Sequence, residues 1–254
     1  MSAPTYRARA LVLRKTKLGE SDLILTLLAE DGSQLRAVAK GARKPRSSFA
    51  SRLELYSEVD LLCARGRSLD IVKEARLLKA RDALRSSVER AAGAACAAEL
   101  VERVSLEHVC APRLFAATGV ALDSLARADV AQVPVITAAH LLKAFSLAGL
   151  RPSLEACVAC GAPAKPAAGQ VRFSAPDGGV MCARCAAQAQ TTLLPEQTRA
   201  WARALIASTF AQIEQMDAPV QAGVDLLQLC QVWAAAHLGV RLKSVQFLLT
   251  CGLL

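Results

Sequence analysis

Leu23-Ile24-Leu25-Thr26-Leu27-Leu28-Ala29-Glu30-Asp31-Gly32-Ser33-Gln34-Leu35-Arg36-Ala37-Val38-Ala39 is an apolar run, a two-residue turn signal and a second apolar run. Asp-Gly between hydrophobic runs reads as a tight hairpin. Before it, Tyr6 to Lys15 alternates Arg7 and Arg9 with Ala8 and Ala10, the period of a strand with one wet face. After it, Leu53 to Cys63, a turn at Arg65-Gly66-Arg67 and Leu69 to Ala75 complete five strand signals. Five short antiparallel strands in about 75 residues suit a small closed barrel of the OB type, whose loops and exposed face take oligonucleotides.

The third and fourth strands are separated by Lys40-Gly-Ala-Arg-Lys-Pro-Arg-Ser-Ser-Phe-Ala-Ser-Arg52, with cations at Lys40, Arg43, Lys44, Arg46 and Arg52 and no carboxylate. Gly41 and Pro45 interrupt regular structure, so the expectation is a flexible basic loop whose partner is a polyanion. Residues 1–85 hold 18 Lys and Arg against 10 Asp and Glu, and the rest holds 13 against 12, so nearly all of the net +9 lies in the barrel third. Such a skew assigns the electrostatic work to one module. Arg14, Lys15, Lys17 and Arg36 are expected to join the loop cations in contacting phosphates. With two Trp, two Tyr and six Phe in 254 residues, stacking on aromatic platforms is not the main source of affinity, and Phe49 and Tyr56 read as anchors.

From Asp82 the period becomes helical: Leu84, Val88, Ala91, Ala92, Ala95, Leu100 and Val104 recur at three- and four-residue steps up to His108. Further helices are expected at Arg113 to Ala126, Pro134 to Leu150, Glu196 to Gln215 and Gln221 to Leu238, with Gly149 and Gly239 at C-terminal caps. The array is interrupted by Cys157-Val-Ala-Cys160 and Cys182-Ala-Arg-Cys185. Two such knuckles complete a tetrahedral zinc site with no open position, so one structural zinc per chain is expected on Cys157, Cys160, Cys182 and Cys185. Between the knuckles, prolines and glycines leave room for one short strand, Gln170 to Ser174, in a segment that needs its metal to fold. The fold class is thus α+β and multidomain: an OB barrel at 1–80, an all-α domain from 81–150 and 191–254, and a zinc-binding insertion at 151–190.

Cys63, Cys96, Cys110, Cys230 and Cys251 sit singly among apolar residues and read as small buried hydrophobes. An odd cysteine count and an N-terminus without an apolar leader point to reduced thiols in the cytoplasm. The uncharged stretches read as too short or too broken for a membrane span of about 20 residues. No phosphate loop, H-E-x-x-H or G-x-S-x-G motif occurs. His108, His140 and His237 read as packed or surface histidines, and Glu99 and Glu102 as solvated. The expectation is a protein that is no enzyme and has no small-molecule substrate. Two rival classes are a zinc-containing transcriptional regulator, which needs base-reading side chains on a recognition helix, and a metal-dependent nuclease, which needs a carboxylate cluster.

Gly19-Glu20-Ser21-Asp22 to Leu28, Val38-Ala39-Lys40-Gly41-Ala42-Arg43 and Ser48 to Leu62, with the order of parts and a terminal Leu242-Lys243-Ser244, resemble the RecO family of bacterial recombination mediators. The resemblance implies an OB-fold, binding to single- and double-stranded DNA, annealing of complementary strands, and work in the bacterial cytoplasm at the nucleoid. It also implies cooperation with RecR and single-stranded DNA-binding protein in loading recombinase, in the RecF pathway. In that family the helical domain receives the acidic, apolar-ended tail of single-stranded DNA-binding protein. The expected groove lies on the helix from Pro134 to Leu150, with Leu141, Leu142, Phe145 and Leu147 apolar, Lys143 on the exposed side and Arg151 just beyond the end.

Overall fold

The computed structural model describes residues 3–250. Strands β1 (Thr5–Leu18), β2 (Asp22–Ala29), β3 (Gln34–Ala39), β4 (Glu58–Ala64) and β5 (Asp70–Lys79) close a barrel in the order β1-β2-β3-β5-β4. All neighbours are antiparallel except β3 and β5, and β4 returns to β1 through Arg7↔Leu62 and Arg9↔Asp60. The small barrel is filled by Val12, Leu25, Leu27, Ala37, Val59, Leu61, Cys63 and Val72. A register shift between Val12 and Arg14 bends β1. By strand alternation Leu11, Leu13 and Leu28 face outward, into the core shared with the helices.

Leu53 to Ser57 is not strand. It closes one end of the barrel, with Tyr56 at a φ of 67° and its NH bound to the Val12 carbonyl (2.8 Å). The basic loop is likewise not a free loop. Its backbone forms successive turns, Lys44 N to Gly41 O (3.1 Å), Ser47 N to Lys44 O (3.0 Å) and Leu53 N to Phe49 O (3.0 Å). Ala42, Phe49 and Leu53 pack into the barrel core beneath it. Burial of those three side chains overrides the flexibility that Gly41 and Pro45 suggest, and holds the cations on a fixed frame.

Helices α1 (Val88–Val104), α2 (Pro112–Arg127) and α3 (Val133–Leu147) follow, with α5 (Glu196–Ala207), α6 (Phe210–Ile213), α7 (Val220–Leu238) and α8 (Lys243–Thr250) beyond the insertion and the short α4 (Ala183–Ala186) within it. α3 is central, touching α1, α2, α5 and α7. Against expectation, Val130–Leu147 is long and apolar enough by composition to cross a membrane, with mean hydropathy 1.4, but 67% of it is buried within the fold. The helix expected over Glu196 to Gln215 breaks in two, because Thr209 and Gln212 form a capping box that starts α6. Gly149 and Gly239 take left-handed φ values of 78° and 66° at their helix ends, as expected. His140 is fully buried against Thr118 (3.2 Å), and that burial pushes its pKa down to about 4, so the core holds it neutral.

Barrel and helices are bolted together by polar groups. Arg81, with 2% of its side chain exposed, donates to Asp123 Oδ1 of α2 (2.7 Å) and to the Tyr56 carbonyl (2.8 Å), and lies 3.7 Å from Glu58 of β4. Burial alone would push Asp123 up, but hydrogen bonds from Lys79 and Arg81 hold its carboxyl below the ordinary range. At the Asp31-Gly32 turn the Ala111 NH reaches the Asp31 carbonyl (2.7 Å). A Cβ on Gly32 would lie 2.0 Å from the Ala111 oxygen, so this turn admits only glycine. Gln34 Nε2 donates to the Glu102 carbonyl (2.8 Å).

Other expectations are corrected at the same junctions. Glu99 and Glu102 are not free in solvent: Glu99 accepts the backbone NH groups of Lys243 (3.0 Å) and Ser244 (2.8 Å) and the Ser244 hydroxyl, capping α8, and Glu102 pairs with Arg14 (2.6 Å). Cys63, Cys96 and Cys230 are buried, whereas Cys110 is exposed on the loop that meets the Asp31 turn, and Cys251 lies outside the described residues. The insertion builds two strands where one was expected, β6 (Gln170–Ser174) and β7 (Gly179–Met181), and β8 (Thr192–Pro195), just beyond it, completes a sheet in the order β7-β6-β8. Phe173 of β6 packs on Trp233 of α7 with ring centroids 5.9 Å apart, so the helices also support this sheet.

Removing one partner of a buried ion cluster leaves an uncompensated charge. Arg81→Met is therefore expected to lower stability by about 3 kcal/mol in urea denaturation. A loss below about 0.5 kcal/mol would show that the junction does not depend on this guanidinium.

Candidate nucleic-acid interface and metal centre

Local chain geometry gathers the loop cations over the β1–β2 turn. Gly41 N donates to Asp22 Oδ1 (2.7 Å), and that bond, the Ser21 hydroxyl and the nearby Lys40 and Lys44 charges hold the Asp22 carboxyl below its usual range. Arg43 binds the same turn twice, its NH to the Ser21 carbonyl (2.8 Å) and its guanidinium to the Glu20 (2.9 Å) and Gly19 (3.2 Å) carbonyls. Lys17 sits at the end of β1 leading into that turn. On the sheet, the register aligns Arg14, Thr26 and Arg36 in one row across β1, β2 and β3.

The nine cations singled out from sequence divide by what holds them. Lys17, Arg36, Lys40, Lys44 and Arg46 are exposed and, among the described residues, have no ion-pair partner. Arg43 is tied to carbonyls but stays exposed, and Arg14 is half exposed in its pair with Glu102. Lys15 is half-buried on Glu54 (2.9 Å), which removes it from the free cations. Arg52 departs from the group: it reaches across the capped barrel end to the Ala75 carbonyl of β5 (3.1 Å).

The opposite side of the barrel, between β4, β5 and α2, is an open cleft of about 990 Å³. It is rich in charge and mostly compensated, with Arg76 on its lining exposed and without an ion-pair partner among the described residues. Arg9 pairs with Glu30 (2.9 Å) and Glu58 (2.5 Å), Arg7 with Asp60 (3.1 Å), and Lys79 and Arg81 with Asp123 (2.6 and 2.7 Å). Cations already satisfied by carboxylates offer little to a phosphate; the loop side holds five exposed cations without an ion-pair partner, and Arg67, Lys73 and Arg76 of the β4–β5 turn and β5 are likewise exposed and unpaired among the described residues.

The metal ligands expected from sequence are brought together. The Sγ atoms of Cys157, Cys160, Cys182 and Cys185 all lie within 4.8 Å of one another. The first knuckle is a tight turn, Gly161 N to Cys157 O (2.8 Å), with Gly161 at φ 72°. The second starts where β7 ends and continues into α4. The backbone NH of Cys182, with those of Ala159 and Cys160, pulls the Cys157 thiol down to about 6, while the neighbouring Cys160 and Cys182 thiols push Cys185 up to about 12. One thiolate forms easily and makes the next costly, a conflict that a divalent cation removes. A tetrahedron with Zn–S bonds of about 2.3 Å has edges of about 3.8 Å. The Cys160 and Cys182 sulfurs are 3.8 Å apart, and four soft thiolates suit zinc. Arg184 lies against Cys160 and Cys185, whose sulfurs hold its guanidinium above its ordinary range.

The model "Recombination protein O N terminal" matches residues 1–81 and "Recombination protein O C terminal" matches residues 85–246. The chain belongs to the RecO family. It is 38% identical over 182 residues to the DNA repair protein RecO of Bifidobacterium adolescentis, covering 71% of this chain and 73% of that one. The same-named proteins of Bifidobacterium longum and Symbiobacterium thermophilum are 40% and 35% identical, over 70% and 74% of this chain and 72% and 74% of theirs.

The RecO tail groove expected on α3 is not built there. Leu141, Leu142 and Phe145 are core, since α3 is enclosed by helices, and only Leu147 of that set is exposed. Lys143 is half-buried and donates to the carbonyls of Ile206 (2.9 Å) and Ser208 (2.5 Å) at the end of α5, where the helix leaves acceptors unpaired. Arg151 instead borders a surface cavity of about 710 Å³ with Pro152, Leu154, Arg203 and Ile206. Sequence reasoning missed Arg81 and the cap made by Glu99. A charged residue between the last strand and the first helix is a weak signal for the former, and none marks the latter.

Metal analysis of protein purified without chelator is expected to give about one zinc per chain, and Cys160→Ser to lose it. Less than about half an equivalent in the parent protein, or full retention in the variant, would refute the ligand set.

Proposed function

We propose that this RecO-family chain is a non-enzymatic recombination mediator. It binds single- and double-stranded DNA, anneals complementary strands and, with RecR and single-stranded DNA-binding protein, helps load recombinase in the RecF pathway at the bacterial nucleoid. The observation that carries the reading is the group of exposed, unpaired cations Lys17, Arg36, Lys40, Lys44 and Arg46 on the loop side of the barrel, whereas Arg9, Lys79 and Arg81 at the cleft are neutralised by carboxylates. A field of fixed cations lowers the repulsion between two phosphate backbones while base pairs form, and annealing breaks no covalent bond. Few aromatic side chains and no ordered set of base-reading groups favour backbone contact over sequence readout. Zinc, one per chain, serves the insertion as a structural tie. For the tail of single-stranded DNA-binding protein, the cavity beside Arg151 offers an apolar wall and one free cation that α3 does not, Arg203 there being paired with Glu155 (2.5 Å). A zinc-containing transcriptional regulator is not favoured, since both family models that match are of a recombination protein.

Annealing of complementary oligonucleotides coated with single-stranded DNA-binding protein is expected without any nucleotide cofactor. Lys44→Ala with Arg46→Ala should weaken binding to unrelated sequences alike and lower the salt slope by roughly one to two units. An unchanged slope would remove these residues from the interface.

A further inference from the structure

The Leu242-Lys243-Ser244 segment and the C-terminal end of α1 lie in the helical half, which carries almost no net charge, yet they connect directly to the barrel's cationic face. The Arg14–Thr26–Arg36 row ends at Arg14, whose guanidinium meets Glu102 of α1 (2.6 Å). Arg103 is the next residue, exposed, and Glu99 lies one turn back on the face that Arg103 shares. Glu99 in turn holds the backbone NH groups of Lys243 and Ser244, which places the exposed Lys243 beside it, with exposed Arg241 two residues earlier. The line from Arg36 to Arg241 thus carries five cations and two carboxylates. Both carboxylates are engaged, Glu102 by Arg14 and Glu99 by the amides and hydroxyl that start α8. Arg36, Arg103, Arg241 and Lys243 have no carboxylate partner among the described residues.

We propose that the nucleic-acid path does not stop at the barrel but continues over the α1–α8 junction, with Arg103, Lys243 and Arg241 as further phosphate contacts. The inference rests on the proposed phosphate binding by the barrel and extends it to a surface of near-neutral composition. Engaging Glu99 in a helix cap is what makes the extension feasible. A carboxylate whose oxygens accept three hydrogen bonds repels a phosphate less than a free one, and the cap uses main-chain groups, so Lys243 keeps its ammonium for a ligand. A strand long enough to run past the barrel would use both surfaces, whereas a short one would be satisfied by the barrel alone.

The test compares oligonucleotides of about 8 and about 30 nucleotides, the first within the span of one OB barrel and the second well beyond it. Fluorescence anisotropy of Arg103→Glu with Lys243→Glu should show binding of the longer strand weakened at least about tenfold and of the shorter less than about twofold. The charge-preserving pair Arg103→Lys with Lys243→Arg should bind both as the parent does, which separates loss of charge from loss of fold. Lys44→Ala with Arg46→Ala should weaken both lengths. If that loop variant leaves both unchanged, the barrel reading itself fails. If the reversed-charge variant binds the longer strand as the parent does, the extension is overturned. Equal weakening of both lengths overturns it too.

Discussion

The buried guanidinium of Arg81 fixes the relation on which the rest of this molecule depends. A charge with 2% exposure survives only where acceptors surround it, and here these come from the barrel (Tyr56 and Glu58) and from α2 (Asp123). Seating the barrel this way turns Leu11, Leu13 and Leu28 into the helical core and consumes the carboxylates nearest the joint. One face of the barrel is therefore spent on cohesion. The other keeps Lys17, Arg36, Lys40, Lys44 and Arg46, which no carboxylate neutralises among the described residues.

That division is the physical basis of the proposed DNA binding. The loop between β3 and β4 closes the barrel end through Ala42, Phe49 and Leu53 and displays Lys40, Lys44 and Arg46 from a hydrogen-bonded frame. Fixed cations lose less freedom on binding a phosphate than cations on a flexible loop. The four-cysteine cluster sits apart from this face, in a sheet that leans on Trp233, and its four sulfurs leave no position for a substrate.

The barrel was legible because its determinants are local: alternation in β1, Asp31-Gly32 between apolar runs, and strand lengths that suit closure. The knuckles were legible for the same reason, since spacing within four residues decides whether two thiolates can share an ion. What the sequence could not convey was partner choice across long separations. Lys15 and Lys44 look alike in the chain, yet Glu54 takes one and leaves the other free. Lys143 was expected to be exposed because the helix period alone does not show that α5 ends beside it. Leu142 and Phe145 fit a groove or a core equally well by pattern, and the enclosure of α3 decided for core. Glu99 reads as solvated by pattern because the helix it caps starts 144 residues later in the chain.

Amide hydrogen exchange with and without a saturating single-stranded oligonucleotide tests the central claim, that the uncompensated side of the barrel receives the polyanion. Binding should slow exchange at the Gly19–Asp22 turn and along Lys40–Arg52, and leave the Pro112–Val120 wall of the compensated cleft and strands β6 to β8 unchanged. Protection confined to that cleft, with Lys40–Arg52 exchanging as in the free protein, would contradict the account.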